Sequence, residues 1–287
     1  MATFDRTTED TGNVISLDHV NLCIGDQQAA TLFYIMGLGF TRDPYLTVGL
    51  ENMWLNAGRQ QVHVPTRPAA AQVLRGRIGV VVPDLLELQQ RLTDISSQLA
   101  GTQFTFKEHG DHLDVTCPWG NMFLCHAPMD SFAATLGIPY VELGVPTGAA
   151  AGIAAFYSEI MGAVSEVKTV RKNAAAVVRM GTDQSLIFRE DSEEPRAYDG
   201  HHLAIYISDF SGPHGRLAER GLVSEESNEH QYRFKDIVDL ASGAVLFELE
   251  HEVRSMRHPM YARALVNRDP AVTTRNYTRN SEFLYIG

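Results

Sequence analysis

The strongest constraint on this chain is that its sequence repeats. "HVNLCIGDQQAATLFYIMGLGF", from His19 to Phe40, has the pattern of a strand, a loop and an amphipathic helix ending at Gly37 or Gly39. "YVELGVPTGAAAGIAAFYSEIMGAV", from Tyr140 to Val164, repeats it, with Phe156-Tyr157 answering Phe33-Tyr34 and Met161-Gly162 answering Leu38-Gly39. Three short alternating runs follow each helix: "FTRDPYLT", "NMWLNAG" and "QQVHVP" in the first copy, "SEVKTVR", "AAAVVRMG" and "QSLIFRE" in the second. A further echo lies within each half. "GRIGVVVPDLLELQQRL" and "HHLAIYISDFSGPHGRL" both read strand, Asp, helix, and each leads to a strand pair around a glycine turn, "CPWGNMFLCHAP" or "DLASGAVLFELEHEV".

The pattern predicts four βαβββ units, two per half, in an α+β fold with curved sheets. The expected division is a disordered or loosely attached N-terminus over 1–14, repeat domains over 15–129 and 130–253, and a C-terminal extension over 254–287. That extension has no clear period and reads as a surface wrap or an arm for a partner subunit. A length of 287 residues gives each half enough chain for its own core.

Composition excludes several classes. The net charge of -11 argues against a nucleic-acid partner. No apolar run reaches the roughly 18 residues of a membrane span, and "MATFDRTTEDTGN" lacks the apolar segment of a secretory signal. Three cysteines without CxxC spacing indicate neither a disulfide framework nor a zinc ribbon. The expectation is a reduced, cytoplasmic monomer or homo-oligomer without a membrane partner.

Side chains alternate across a strand, so faces can be assigned. Val20, Leu22 and Ile24 take the packed face of the first strand, leaving His19, Asn21 and Cys23 opposite. In "QQVHVP", Val62 and Val64 pack and His63 does not. In "HHLAIYI", Leu203, Ile205 and Ile207 pack, leaving His202, Ala204 and Tyr206. In "AVLFELE", Val245, Phe247 and Leu249 pack, leaving Leu246, Glu248 and Glu250. His19, His63, His202 and Glu248 therefore share the non-helix side of their strands.

On these residues, and on "LDHVNLCIGD…FYIMGLGF", "GHHLAIYISD" and "SGAVLFELE", the chain resembles the vicinal oxygen chelate superfamily, which includes glyoxalase I, bleomycin-resistance proteins and extradiol dioxygenases. The resemblance runs from about Ile15 to Glu252 as two tandem copies. It implies paired βαβββ units forming two cupped, mostly antiparallel sheets around a divalent metal. Carried over by position, the ligand places fall on His19, His63, Arg77 and Leu124 in the first half, and on Tyr140, Phe188, His202 and Glu248 in the second. The resemblance implies one metal site shared between halves, made by His19, His63, His202 and Glu248. The other set, Tyr140, Phe188, Arg77 and Leu124, cannot bind metal. Matching the helices without gaps pairs His19 with Glu142 instead, and gives a second arrangement of Glu142, His202 and Glu248 within the C-terminal half.

Imidazole plus carboxylate suits one divalent ion among Fe, Mn, Ni, Co and Zn. Four protein ligands leave two positions for a small substrate with neighbouring oxygens, the chemistry of a glyoxalase- or epimerase-like lyase or isomerase, with Glu248 also available as a base. Without His63 the set becomes a 2-His-1-carboxylate triad, which suits an Fe(II) ring-cleaving dioxygenase. Asn21, Tyr206, Glu250, Tyr232 and His230 are then candidates for substrate or supporting roles. A third reading is a non-catalytic binding or resistance protein. The lyase or isomerase reading is the one expected.

Overall fold

A computed structural model describes residues 4–45, 51–67, 71–132, 134–193, 196–273 and 275–283. The four units are present in order. The first holds β1 (Val14–Asn21), α1 (Gln27–Ala30, continuing as a π-helical run Thr31–Gly37), β2 (Thr41–Arg42), β3 (Asn52–Ala57) and β4 (Gln60–Pro65). The second holds β5 (Gly76–Val81), α2 (Leu85–Ile95), β6 (Thr105–Glu108), β7 (His112–Thr116) and β8 (Met122–His126). The third holds β9 (Gly137–Pro146), α3 (Ala150–Glu159), β10 (Ser165–Val170), β11 (Asn173–Met180) and β12 (Gln184–Asp191). The fourth holds β13 (His202–Ile207), α4 (Ser211–Ala218), β14 (Val223–Asn228), β15 (Gln231–Val238) and β16 (Val245–Ser255). Of the run "FTRDPYLT", only Thr41–Arg42 is strand, and Leu46 and Thr47 lie outside the described residues.

The units pair across the sequence. One sheet runs β14-β15-β16-β13-β1-β4-β3-β2 and the other β10-β11-β12-β9-β5-β8-β7-β6. The first and fourth units thus make one sheet, the second and third the other. In each sheet the two units meet through their opening strands, β1 with β13 and β5 with β9, both antiparallel.

The core lies between the sheets, where alternation places it: Val20, Leu22 and Ile24, then Val62 and Val64, Leu203, Ile205 and Ile207, and Phe247 and Leu249 are all buried. Helices cross to the other sheet. Phe33 and Tyr34 of the first unit pack on Phe123 of β8, and Phe156 of α3 packs on Phe234 of β15. Tyr157 of α3 and His251 of β16 share a hydrogen bond of 2.6 Å. Asp84 caps α2 through the N–H groups of Leu86 and Glu87, a contact worth about 1 kcal/mol. Leu88, Leu92 and Ile95 form the buried stripe of that helix.

Residues near both ends of the described chain touch this frame. Gly12 bridges Ala163, and Asn13 donates to the Met161 carbonyl at 2.9 Å. The C-terminal extension folds back on its own first sheet. Arg263 forms a buried ion pair with Asp43 (Nη1 to Oδ1 3.1 Å), and the Tyr45 hydroxyl donates to the carbonyl of Ala264 at 2.8 Å.

Candidate metal centre

The register of the first sheet decides which polar side chains meet. His19 lies beside Gln61 on β4 and beside Ala204 on β13, and Ala204 lies beside Glu252 on β16. Asn21 lies beside His63 and beside His202, and His202 lies beside Glu250. Both rows sit on the concave face. Ala204 has only a methyl group, so His19 and Glu252 flank a shallow place in the sheet, and His202 reaches toward it from the next row. One ligand atom from each of His19, His202 and Glu252 lies within 4.8 Å of the other two. All three residues are buried.

Neighbours fix the orientation of each group. Nδ1 of His19 bonds Asp18 Oδ2 at 2.9 Å, the carboxylate contact usual behind a ligating histidine. Asp18 in turn accepts from Arg254 Nη1 at 3.0 Å. His202 has Nε2 3.7 Å from Glu252 and Nδ1 3.5 Å from Glu250. Burial, then the positive groups around it, lower the His202 pKa to about 2, so its imidazole is neutral. Burial alone would raise the Glu252 pKa, but Arg254, His19 and Arg233 outweigh it and keep the group a carboxylate. Arg233 and Arg254 both pair with that carboxylate.

His63 is on the same face but committed elsewhere. Asn21 Nδ2 donates to its Nδ1 at 2.5 Å, and its Nε2 donates to Asn52 Oδ1 at 2.5 Å. Its ring stacks on Trp54 at 3.9 Å, and its centroid is 6.0 Å from that of His19. Both nitrogens thus have side-chain amide partners.

The carboxylate next to the histidines is Glu252; Glu248 is not brought to them. Glu248 is half-exposed and pairs with Lys235 Nζ at 2.7 Å, one row further from the cluster than Glu250. Glu250 is held by Arg233 Nη1 at 2.5 Å. Tyr206 lies on the concave face, its hydroxyl 3.3 Å from Arg254 Nη1 and its ring against Tyr261. Tyr232 faces the other way: it pairs with Val253 in the sheet and packs against Phe210 and His214. His230 sits on the turn before β15, 3.1 Å from Glu229. Asn21 contributes by holding His63.

Glu252, Asp18, Arg233 and Arg254 were missed by sequence reasoning. The strand reading of "AVLFELE" ended at Glu250, whereas β16 continues to Ser255. Extending the same alternation through His251 and Val253 on the core side puts Glu252 and Arg254 on the concave side. The extension also borders the site: Met260, Ala262, Arg263 and Leu265 join Asp18, Arg59, Gln61 and Arg254 around a cavity of about 70 Å³.

The second sheet shows the contrast. By the same register, Tyr140 occupies the place of His19, Arg77 that of His202 and Leu124 that of Glu252. The place of His63 falls on Ile187, one residue from the expected Phe188. Gly79 stands where Ala204 does, and a Cβ there would lie 2.4 Å from the Tyr140 ring. That ring fills the second hollow. Glu142 does not join His202; it is in the other sheet, paired with Arg189 at 3.1 Å and with Arg171.

Comparison of the whole fold adds an independent result. The chain superposes on a point mutant of glyoxalase I from Zea mays with a TM-score of 0.60 and 16% identity, covering 84% of this chain and 92% of that one. The fold is that of glyoxalase I. Glyoxalase I from Zea mays itself gives a TM-score of 0.57 at 15% identity, over 88% of this chain and 95% of that one. A structure described as a putative dioxygenase from Bacillus subtilis gives 0.56 at 14% identity, over 86% of both. No protein-family model and no curated protein matches the sequence. Among the described residues, no helix is long and apolar enough to cross a membrane.

The donor set fits a divalent metal. Two imidazoles and one carboxylate on one face form a triad of the kind that holds Fe(II) and other first-row ions. Asp18, Glu250 and Glu252 against Arg233 and Arg254 leave one net negative charge around it.

Proposed function

We propose that this chain is a metal-dependent enzyme acting on a small organic substrate with neighbouring oxygens, with His19, His202 and Glu252 as its three protein ligands. The observation that carries the reading is the commitment of both His63 nitrogens to Asn21 and Asn52. The expected lyase or isomerase chemistry relied on His63 as a fourth ligand. A three-ligand set favours an Fe(II)-dependent dioxygenase of the extradiol type instead. When bound, such an ion supplies Lewis acidity to the two substrate oxygens and leaves a further position for O₂.

The residues around the triad supply charge and hydrogen bonds. Asp18 fixes the His19 ring, and the Arg254 guanidinium keeps its proton beside Glu252, Asp18 and Tyr206. Burial raises the Tyr206 pKa, so the phenol also holds its proton. His258 accepts the Met260 N–H at Nδ1 and carries its own proton on Nε2. Burial, then Arg254, lower its pKa to about 4, so it is neutral. Tyr206 and His258 are thus neutral hydrogen-bond donors on the side bordered by the extension.

The deciding test is metal analysis of protein purified without added metal, followed by anaerobic Fe(II) reconstitution and O₂ electrode assays with a panel of catechols. Stoichiometric iron and catechol-dependent O₂ uptake support the proposal. Tight zinc or nickel with isomerisation of a glutathione hemithioacetal and no O₂ uptake would restore the lyase reading.

A further inference from the structure

A second group of metal-ligating side chains lies on the other sheet. The hairpin joining β6 to β7 reads "KEHGDHLD". His109 and His112 flank its Gly110-Asp111 turn, closed by the His109 N–H on the His112 carbonyl at 2.9 Å. Gly110 takes the positive φ of +79° that such a turn requires, with nothing near its Cβ position. His112 and Asp114 then share one face of β7, because Leu113 and Val115 point into the core.

The turn places three donors at one point. Nε2 of His109 is 3.1 Å from Asp114 Oδ2, and Nε2 of His112 is 3.9 Å from Asp114 Oδ1. The two rings stack with centroids 4.9 Å apart, and the three ligand atoms lie within 4.8 Å of one another. Tetrahedral zinc with bonds of about 2.0–2.1 Å sets its ligands roughly 3.3 Å apart. Adjustments of about 1 Å in partly exposed side chains would reach that spacing. Nδ1 of His112 is bonded to Asp111 Oδ1 at 2.6 Å, which holds the ring with Nε2 directed at the cluster. A carboxylate behind a ligating histidine is the supporting contact that metal sites use. Two ion pairs alone would not need this orientation.

We propose that His109, His112 and Asp114 bind a second divalent transition ion of the zinc type, with Asp111 as the positioning residue for His112. The site is separate from the triad and its fourth position is open to water. Its consequence is local: the ion ties β6, the edge strand of the second sheet, to β7 across the turn.

The experiment is equilibrium dialysis of the chelator-stripped full chain against Zn²⁺, with Co²⁺ absorption as a spectroscopic check. Wild type is expected to bind two equivalents, His112→Ala one, and His202→Ala one. Asp111→Asn should weaken the hairpin site about 10–100-fold while keeping its stoichiometry. Zn²⁺ should slow amide exchange across 107–114 in wild type and in His202→Ala, but not in His112→Ala. If only the triad reading fails, wild type binds one equivalent, lost in His112→Ala and kept in His202→Ala. The hairpin site is overturned if His112→Ala and Asp114→Ala bind as much Zn²⁺ as wild type with unchanged affinity, or if exchange across 107–114 ignores the ion.

Discussion

His202 Nε2 lies 3.7 Å from Glu252 Oε2, although the strand neighbour of His202 is Glu250. The side chains lean across one row of the sheet toward His19, and this diagonal makes Glu252 the carboxylate of the cluster. Glu252→Gln should therefore lower metal affinity at least 10-fold, as loss of a charged ligand does, while Glu248→Gln should change it less than 2-fold. Metal content after dialysis at a fixed free-ion concentration measures both. Equal losses in the two variants would sink the assignment.

His63→Ala tests the opposite role. Asn21 and Asn52 would lose a partly buried partner each, so stability should fall by about 1–3 kcal/mol. Metal stoichiometry should remain that of wild type. Loss of the metal without loss of stability in urea denaturation would return His63 to the ligand set.

How much of this was legible in the sequence follows from distance along the chain. Strand faces were, because alternation is local: His19, His202 and Tyr206 lie on the concave side as Val20, Leu203 and Ile205 go into the core. Rows were not. Whether Glu248, Glu250 or Glu252 meets His202 depends on the stagger of β16 against β13, which no local pattern records. The same one-residue uncertainty moved Ile187 to Phe188 in the second sheet. Tyr232 was misplaced for another reason: it follows the turn, and its side chain goes to the core under Phe210. The commitment of His63 to two amides was invisible, since Asn52 lies on a neighbouring strand.

The extension offers a third check. Asp43 is fully buried with Arg263 as its ion-pair partner. Arg263→Met should cost about 3–5 kcal/mol, the penalty for leaving a buried charge unpaired. It should also release the segment after Ser255 to limited proteolysis at protease levels that leave wild type intact. An unchanged melting temperature and cleavage pattern would show that the ion pair does not hold the extension.

The cysteines give a prediction about pH. Burial pushes the Cys125 thiol up to about 12 and raises Cys117 and Cys23 as well. A raised thiol pKa means less thiolate at any given pH, so all three should react slowly with a disulfide reagent at pH 8 and quickly in denaturant. A fast native phase of one equivalent would contradict the burial of at least one of them.

The nesting of the units sets an order of assembly during synthesis. The second sheet is complete once β12 has left the ribosome, because both of its units lie in the middle of the chain. The first sheet must wait for β16, near the end. Until β13 has emerged β1 displays a bare strand edge and His19 waits for His202, and Glu252 follows only with β16. A nascent chain therefore cannot assemble the three-residue cluster early, and a message truncated before β16 encodes a chain that lacks Glu252 and, with it, the triad.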